Sequence, residues 1–580
     1  MKNRIFRVIE EIYKKYYENV LNKKIISHEF DSTSSNKLKT PTDTSSTTNQ
    51  NVDHREVVSV LKEHFDEAFY LTAYPDVAQS KVDPLWHFIT TGWKEGRNPC
   101  AEFSTTYYLQ SNHDVVEAGI NPFWHYIVAG KLEGRPKSHP GGYKAEKLSS
   151  LLSLEQVFIY WKNPNIIPEL LDVGKVEDLL VKSKTENINQ LAISIGQDHY
   201  IKISGGTQLC IQREALLAAD AGVLYVNAHP WQPLPFLANE EIADPLLCLI
   251  LAGKDIGVCH ASTLTSAIDR VRNLFLGNIN LIIHSLLGHS VLWVKQLAKS
   301  IGNRRSWLWL HDFFTLCPSF ALQRNTISYC GAPAQKSNAC LICVYSEERI
   351  THVSRIQSLL AEIEFTVVSP SEVTKAFWLK KMDFPADRVI VVPHVDLKWF
   401  ERETPLEMLR DTPITIGFMG APVYHKGWNT FESLAKALAH DPRFHFLYFG
   451  HYKLPLSGVE TVNVHVTAQD EFAMTRAISK CQVDFVIHWP SFPETFSFTT
   501  HEAIAAGAYV LTNSISGNVA ATVARTAMGA ILEDEQALNE FFIGGEASRI
   551  VDLIRTKRAT RFCRSDFSNM TLPLVMKERV

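Results

Sequence analysis

Two carboxylates, Glu494 and Glu502, bracket the run Thr495-Phe496-Ser497-Phe498-Thr499-Thr500-His501 and lead into Ala503-Ile504-Ala505-Ala506-Gly507. The apolar stretch Val483–Ile487 ahead of them reads as a buried strand. Glu502 to Ala506 reads as a helix that ends near Gly507. Glu494 then lies in the strand-to-helix loop, and Glu502 a turn or so inside the helix. Backbone amides around Phe496, Ser497, Phe498 and Thr499 would point outward from the helix start, a natural seat for a diphosphate. A carboxylate at Glu502 can accept hydrogen bonds from the vicinal hydroxyls of a ribose, and Glu494 can do the same for a sugar.

A second motif supplies the positive charge. Gly417-Phe418-Met419-Gly420-Ala421-Pro422-Val423-Tyr424-His425-Lys426-Gly427 closes the strand-like run Ile414–Phe418. Glycines such as Gly420 and Gly427 let backbone approach a phosphate, and Lys426 offers a point charge with His425 beside it. Earlier in the chain, Ser204-Gly205-Gly206-Thr207-Gln208 forms a glycine turn ahead of a helix starting near Leu209. His311-Asp312 ends the run Trp307–Leu310, and His284 and His289 flank another strand end. Cys317, Cys330, Cys340 and Cys343 follow His311. The last two have the spacing of metal ligands, so a structural zinc is one reading and buried thiols the other, which is preferred. No Asp-x-Asp motif appears in the loops expected to line the site, so no catalytic metal is expected.

The elements that position these residues alternate. Leu191–Ile195, Gly222–Val226, Ile279–Ile283, Trp307–Leu310, Phe365–Val368 and Val389–Val392 are apolar runs separated by helical stretches. A second series follows at Ile414–Phe418, Phe446–Phe449, Val462–Val466, Val483–Ile487 and Tyr509–Leu511. Buried runs between helices imply parallel βαβ units. The fold class is therefore α/β, with two Rossmann-like domains at 191–400 and 401–580 and a hinge over Pro393–Pro413. Ligands of such sheets bind beyond the carboxyl ends of the strands.

Ahead of them stands a tandem repeat. Phe65, Tyr70, Leu71, Asp76, Val77, Pro84, His87, Gly92, Glu95, Gly96 and Arg97 recur 38 residues later as Phe103, Tyr108, Leu109, Asp114, Val115, Pro122, His125, Gly130, Glu133, Gly134 and Arg135. Two helical repeats are thus expected over 54–138, with a connecting helical segment at 139–190. His87, Arg97, His125 and Arg135 read as capping and ion-pairing residues rather than as a binding site. Residues 1–28 read as an amphipathic, partly basic helix suited to packing on protein or to peripheral membrane contact. Residues 29–53 read as a disordered linker.

Together these motifs resemble the GT-B glycosyltransferases of family 4. The similarity extends over about 191–580 as a fold, with dense motif matches in the second domain. The resemblance implies a nucleotide-diphosphate sugar as donor and a glycan or lipid-linked glycan hydroxyl as acceptor. It also implies retention of anomeric configuration. Carried over residue by residue, Glu502 holds the nucleotide ribose, Glu494 lies by the donor sugar, Lys426 neutralises the leaving diphosphate and His311 contacts the sugar. Ala421 stands where the family carries an arginine. The tandem repeat resembles modules found ahead of glycosyltransferase domains in bacterial polysaccharide-synthesis proteins. The remaining readings are an epimerase or hydrolase on the same fold, and a degenerate relative that binds glycan or serves as a scaffold.

The composition fits this picture. The chain is 46% hydrophobic and 21% charged, with a formal net charge of -4, which gives no electrostatic case for nucleic acid. No run approaches the roughly 20 apolar residues of a spanning helix, and the start is too charged for a signal peptide. A cytoplasmic protein, placed at the inner face of the membrane if the first helix binds lipid, is the expectation. No cofactor is expected.

Overall fold

A computed structural model describes residues 54–138, except 81 and 101, and residues 168–573, except 233, 241–243, 276–277, 303–305, 408–411, 452–457, 468 and 569. The expected amphipathic helix at 1–28, the linker at 29–53 and much of the connecting segment lie outside the described residues. Two compact units result.

The first unit holds the repeats. Asp66 and Ser104 cap equivalent helices, Glu67–Ala73 and Thr105–Ser111. Asp83 and Asn121 cap the next pair, each with proline at the first helical turn. The spacing of the repeat then has a packing cause. The Tyr70 hydroxyl meets His87 Nδ1 at 3.0 Å, and the Tyr108 hydroxyl meets His125 Nδ1 at 2.9 Å. Both tyrosines are fully buried. A Cβ on Gly92 would lie 2.0 Å from the Tyr70 hydroxyl, and one on Gly130 would lie 1.9 Å from that of Tyr108. Tyrosine, histidine and glycine therefore recur as one interlocked set. Arg135 reaches Asn112, Asp114 and Glu133, and Arg97 pairs with Glu95. Gly130→Ala should destabilise this unit by about 1–3 kcal/mol through overpacking. The added Tyr108→Phe change should restore part of that loss in thermal denaturation of the full chain, since it removes the clashing oxygen.

The second unit carries two sheets. In chain order the first series of strands is β1 (Gln190–Ile195), β2 (Val223–Pro230), β3 (Leu246–Leu251), β4 (Lys254–His260), β5 (Ile279–Ile283) and β6 (Ser306–Trp309). A short hairpin, β7 (Gln323–Arg324) and β8 (Ser328–Tyr329), precedes β9 (Phe365–Ser369) and β10 (Val389–Val391). Next come β11 (Val395–Glu401), β12 (Ile414–Met419), β13 (Phe444–Gly450), β14 (Val459–Asn463), β15 (Phe485–Ile487), β16 (Tyr509–Asn513), β17 (Gly529–Leu532) and β18 (Arg561–Phe567).

The first sheet runs β10-β9-β6-β5-β1-β2-β3-β4. Its first six strands are parallel, and the chain reverses direction of travel across the sheet between β1 and β5. Leu191, Ile193 and Ile195 face one apolar cluster while Ala192 faces another. Both faces are covered, which is why β1 reads as a continuous apolar run. The second sheet runs β14-β13-β12-β15-β16-β17, all parallel. Counted in chain order this is 3-2-1-4-5-6, the dinucleotide-binding arrangement, with its switch point between β12 and β15.

Pro245–Gly253 lies largely in an antiparallel hairpin, β3–β4, turned by Ala252 and Gly253, both with positive φ. Two features depart from the sequence reading. The segment Pro393–Pro413 contains β11, which pairs antiparallel with β18. The end of the chain also leaves the second sheet. Met570 and Leu572 are buried in the first sheet's core. Among the described residues no helix is long and apolar enough to cross a membrane.

Candidate functional site

The two motifs meet at the switch point of the second sheet. Gly420 closes β12 with φ +87, and Gly427 turns the chain into helix Trp428–Ala437 with φ +86. At Gly427 a Cβ would lie 2.2 Å from the Trp489 carbonyl, so glycine is required there. The turn between them carries Lys426, whose Nζ lies 2.6 Å from Glu494 Oε1. Glu494 is buried, while Lys426 is partly open. Burial pushes the Glu494 carboxyl up. Lys426 and His488 outweigh it and hold the group well below the usual carboxylate range. The candidate sugar ligand and the candidate phosphate ligand thus neutralise each other.

The loop that carries Glu494 is fixed from several sides. Its backbone N–H donates to the Ser516 carbonyl at 3.1 Å, and its carbonyl accepts from Asn518 N–H at 2.9 Å. The Thr495 carbonyl accepts from the Ser371 and Thr374 hydroxyls at 2.8 and 3.1 Å, and the Thr495 hydroxyl donates to the His311 carbonyl at 2.6 Å. Ser371 and Thr374 stand just beyond β9, and His311 just beyond β6, of the first sheet. The loop therefore bridges the carboxyl ends of both sheets.

Helix Phe498–Ala505 starts from Ser497, whose hydroxyl accepts from Thr500 N–H. Ser497 has φ 85 and ψ 93, a strained backbone for a non-glycine residue and one that clusters at ligand sites. The N–H groups of Phe498 and Thr499 have no protein partner among the described residues, as the first turn of a helix provides. Gly420 lies beside Thr499, and Gly206 beside Phe498, at 3.9 and 3.6–3.7 Å from where their Cβ atoms would be. Both glycine turns thus approach the same helix end. Gly205 is extended at φ 179 and has no special conformational need of glycine.

Glu502 follows one turn later and keeps some exposed surface. Its carboxyl has no hydrogen-bond partner among the described residues, and burial raises it to about 8. The Phe496 side chain is a buried prop: it stacks on His501 at 4.3 Å and meets His394 edge-on, so any donor contact there falls to its backbone. Phe498 is partly open and stacks on His394 at 5.5 Å. His425 packs against Phe320 and Phe492, so Lys426 remains the cation that faces Glu494.

The first sheet contributes His311 just beyond β6. Its Nε2 lies 2.9 Å from His284 Nδ1. Burial, with His284 and His394 close by, drives the His311 ring well toward the neutral form. His289 is structural: Nε2 donates to the Gly196 carbonyl at 2.7 Å, and burial lowers the ring to about 4. Sequence reasoning missed His488, Ser371, Thr374, Glu214 and Thr571. His488 alone carried a local sign, as the residue that follows the β15 run.

Among the described residues, Cys210, His311 and His394 form the one group of three whose candidate ligand atoms lie within 4.8 Å of one another. Cys317, Cys330, Cys340 and Cys343 form no such group, and all are free thiols. The Cys340 sulfur accepts from Arg349 at 3.2 Å.

No family model matches the chain, and no curated protein matches it. Among solved structures it is similar to HepE of Anabaena in complex with UDP and glucose, with 12% identity over 64% of this chain and 94% of that one, at a TM-score of 0.38. It is similar to WaaG, a glycosyltransferase involved in lipopolysaccharide biosynthesis, with 13% identity over 64% and 94% of the two chains, at a TM-score of 0.37. It is also similar to the catalytic domain of starch synthase IV from Arabidopsis thaliana bound to ADP and acarbose, with 9% identity over 67% and 98%, at a TM-score of 0.38.

Proposed function

We propose that this chain is a glycosyltransferase. It moves a sugar from a nucleoside-diphosphate donor to a hydroxyl of a glycan or lipid-linked glycan, with retention and without a metal ion, in cell-surface polysaccharide synthesis at the cytoplasmic side. The observation that carries the reading is the Lys426–Glu494 pair at the switch point of a 3-2-1-4-5-6 sheet, beside unpartnered amides at a helix start. A donor diphosphate placed there would draw Lys426 away from Glu494. Glu494 would then accept hydrogen bonds from the sugar, and Glu502 from the ribose. As the glycosidic bond breaks, negative charge grows on the leaving phosphate, where Lys426 and the amides of Phe498 and Thr499 stabilise it. Proton removal from the acceptor by the leaving phosphate itself requires no separate base.

Glu502 gives this reading a proton signature. Its carboxyl is raised to about 8 by burial, so it is largely protonated at pH 7 in the free protein. Ribose hydroxyls donate best to a carboxylate, so donor binding at pH 7 should release a proton. Titration calorimetry in buffers of different ionisation heat should detect it, and Glu502→Gln should abolish it. The sign for stability follows from linkage. An unfolded glutamate ionises above about 4.3, whereas the folded one holds its proton to about 8. Its contribution is therefore full below that lower value and is lost progressively up to the higher one. Glu502→Gln should accordingly gain melting temperature relative to wild type as pH rises through this window. Equal melting shifts at pH 4 and pH 8 would contradict the assignment.

Ala421 favours a second reading, a relative that binds nucleotide sugar or glycan without turnover. Donor consumption with a glycan acceptor in the presence of EDTA separates the two. Turnover by wild type and its loss in Glu502→Ala support the enzyme, whereas binding without turnover in both supports the scaffold.

A further inference from the structure

A buried chain of polar groups runs from the end of the molecule into this site. Glu214, on helix Gly206–Asp220, is 1% exposed, and His284, just beyond β5, is 3% exposed. Thr571, from the carboxyl-terminal stretch that returns to the first sheet, donates its N–H to Glu214 Oε2 at 3.1 Å and its hydroxyl to the same oxygen. The Tyr225 hydroxyl donates to Glu214 Oε1 at 3.0 Å. His284 Nε2 lies 3.3 Å from that oxygen, and His284 Nδ1 lies 2.9 Å from His311 Nε2. The planes of the two imidazoles are within 13° of parallel, with ring centroids 5.2 Å apart. His311 Nδ1 has no hydrogen bond among the described residues, and the His311 ring keeps some exposed surface.

Proton accounting sets the direction of this chain. Glu214 accepts from the Thr571 N–H, the Thr571 hydroxyl and the Tyr225 hydroxyl, three donors that hold it as a carboxylate. A carboxylate only accepts, so His284 Nε2 carries a hydrogen. In a neutral His284 ring, Nδ1 is then the bare nitrogen. It must accept from His311, so the His311 proton sits on Nε2 and its Nδ1 is bare. Each tautomer is fixed by the hydrogen bond the other nitrogen makes.

We propose that Glu214 and His284 are positioning residues that set the polarity of His311, so that His311 offers the donor sugar a hydrogen-bond acceptor, Nδ1, rather than a donor. The assignment of a sugar to His311 rests on the function proposed above; the tautomer does not. The carboxyl-terminal stretch completes the device, because Thr571 supplies two of the donors that keep Glu214 a carboxylate.

Glu214→Gln tests this without changing shape. The side-chain carbonyl of the variant would accept from Thr571, leaving its amide to donate to His284 Nε2. His284 would then carry its proton on Nδ1 and donate to His311 Nε2, moving the His311 proton to Nδ1. Nitrogen NMR of the full chain with labelled histidine, at pH 8 and without ligand, should show bare Nδ1 and protonated Nε2 for His311 in wild type. It should show the reverse in Glu214→Gln. His284→Phe assigns the resonances and removes the link. A wild-type His311 protonated on Nδ1 overturns the proposal, whatever the activity. With a turned-over donor, Glu214→Gln should lower kcat/KM about tenfold or more while the affinity for the free nucleoside diphosphate, which does not reach His311, stays within twofold. Equal loss of both would mark a structural role and also overturn it. A wild type that binds no nucleotide but shows bare Nδ1 would defeat the function proposed above and leave the tautomer standing.

Discussion

Lys426→Met should lower turnover on the order of 10²–10³-fold at saturating donor, the loss typical when one preorganised group facing developing charge is removed. The loss should fall on kcat more than on KM. Lys426 already has a partner in Glu494, so a donor would exchange one anion for another on binding. The lysine gains most when the leaving phosphate acquires its second charge. Lys426→Arg should not restore activity, because the planar fork cannot take the place of a compact ammonium at 2.6 Å from Glu494 in a turn closed by Gly427. Glu494 supplies an internal control. Without Lys426 its carboxyl loses a major group holding it down, so it should rise, and the acid limb of the activity profile should move to higher pH. A Lys426→Met enzyme with wild-type kcat and only a raised KM would place the lysine outside the chemistry.

Asp484→Ala should be the most destabilising single change outside the site, at roughly 3–5 kcal/mol. Asp484 is fully buried at the entry to β15. Its carboxylate accepts from Arg555 at 2.7 and 3.1 Å, from Arg558 at 2.9 Å and from Thr415 N–H at 3.1 Å. Both arginines come from helix Glu546–Thr560; Arg555 is buried and Arg558 partly so. Removing the carboxylate leaves two guanidinium groups without their counter-charge. The cluster anchors β12 and β15 beside each other, the two strands whose ends present Lys426 and Glu494. Loss of nucleotide affinity should therefore accompany the lowered melting temperature. Asp484→Asn, which keeps the acceptor oxygen, should cost less than the alanine change. Equal melting temperatures for wild type and Asp484→Ala would contradict this.

Much of the second sheet was legible because each βαβ unit is local. The E-x7-E spacing of Glu494 and Glu502 places one residue in a loop and the other in a helix whatever else the chain does. Lys426 was legible for the same reason, since it lies between two glycines with positive φ. What could not be read depends on contacts across the chain. Glu214 sits in an ordinary helix and gains meaning only from Thr571, 357 residues later. Ser371 and Thr374 look like a helix cap, and serve as one, yet also hold the Thr495 carbonyl. The enclosure of the Phe496 ring by His394 and His501 was likewise out of reach, since both partners are set by the fold. Ser497 carried no sign of its positive φ, since glycine is the residue expected there. The β3–β4 hairpin is missing from the runs read as strands, because Leu246–Leu251 and its turn, Ala252-Gly253, form one uninterrupted apolar stretch.

The proposed activity requires Lys426, Glu494, Phe498 and Glu502 to bind a nucleoside diphosphate together. Calorimetric titration of wild type, Lys426→Met and Glu502→Ala with uridine, adenosine and guanosine diphosphates and their sugars tests it most directly. Wild type should bind at least one of them saturably and one-to-one, and each variant should bind more weakly by about 1.4 kcal/mol or more, a tenfold change or greater. No binding at millimolar concentration, or equal binding by all three proteins, would contradict it.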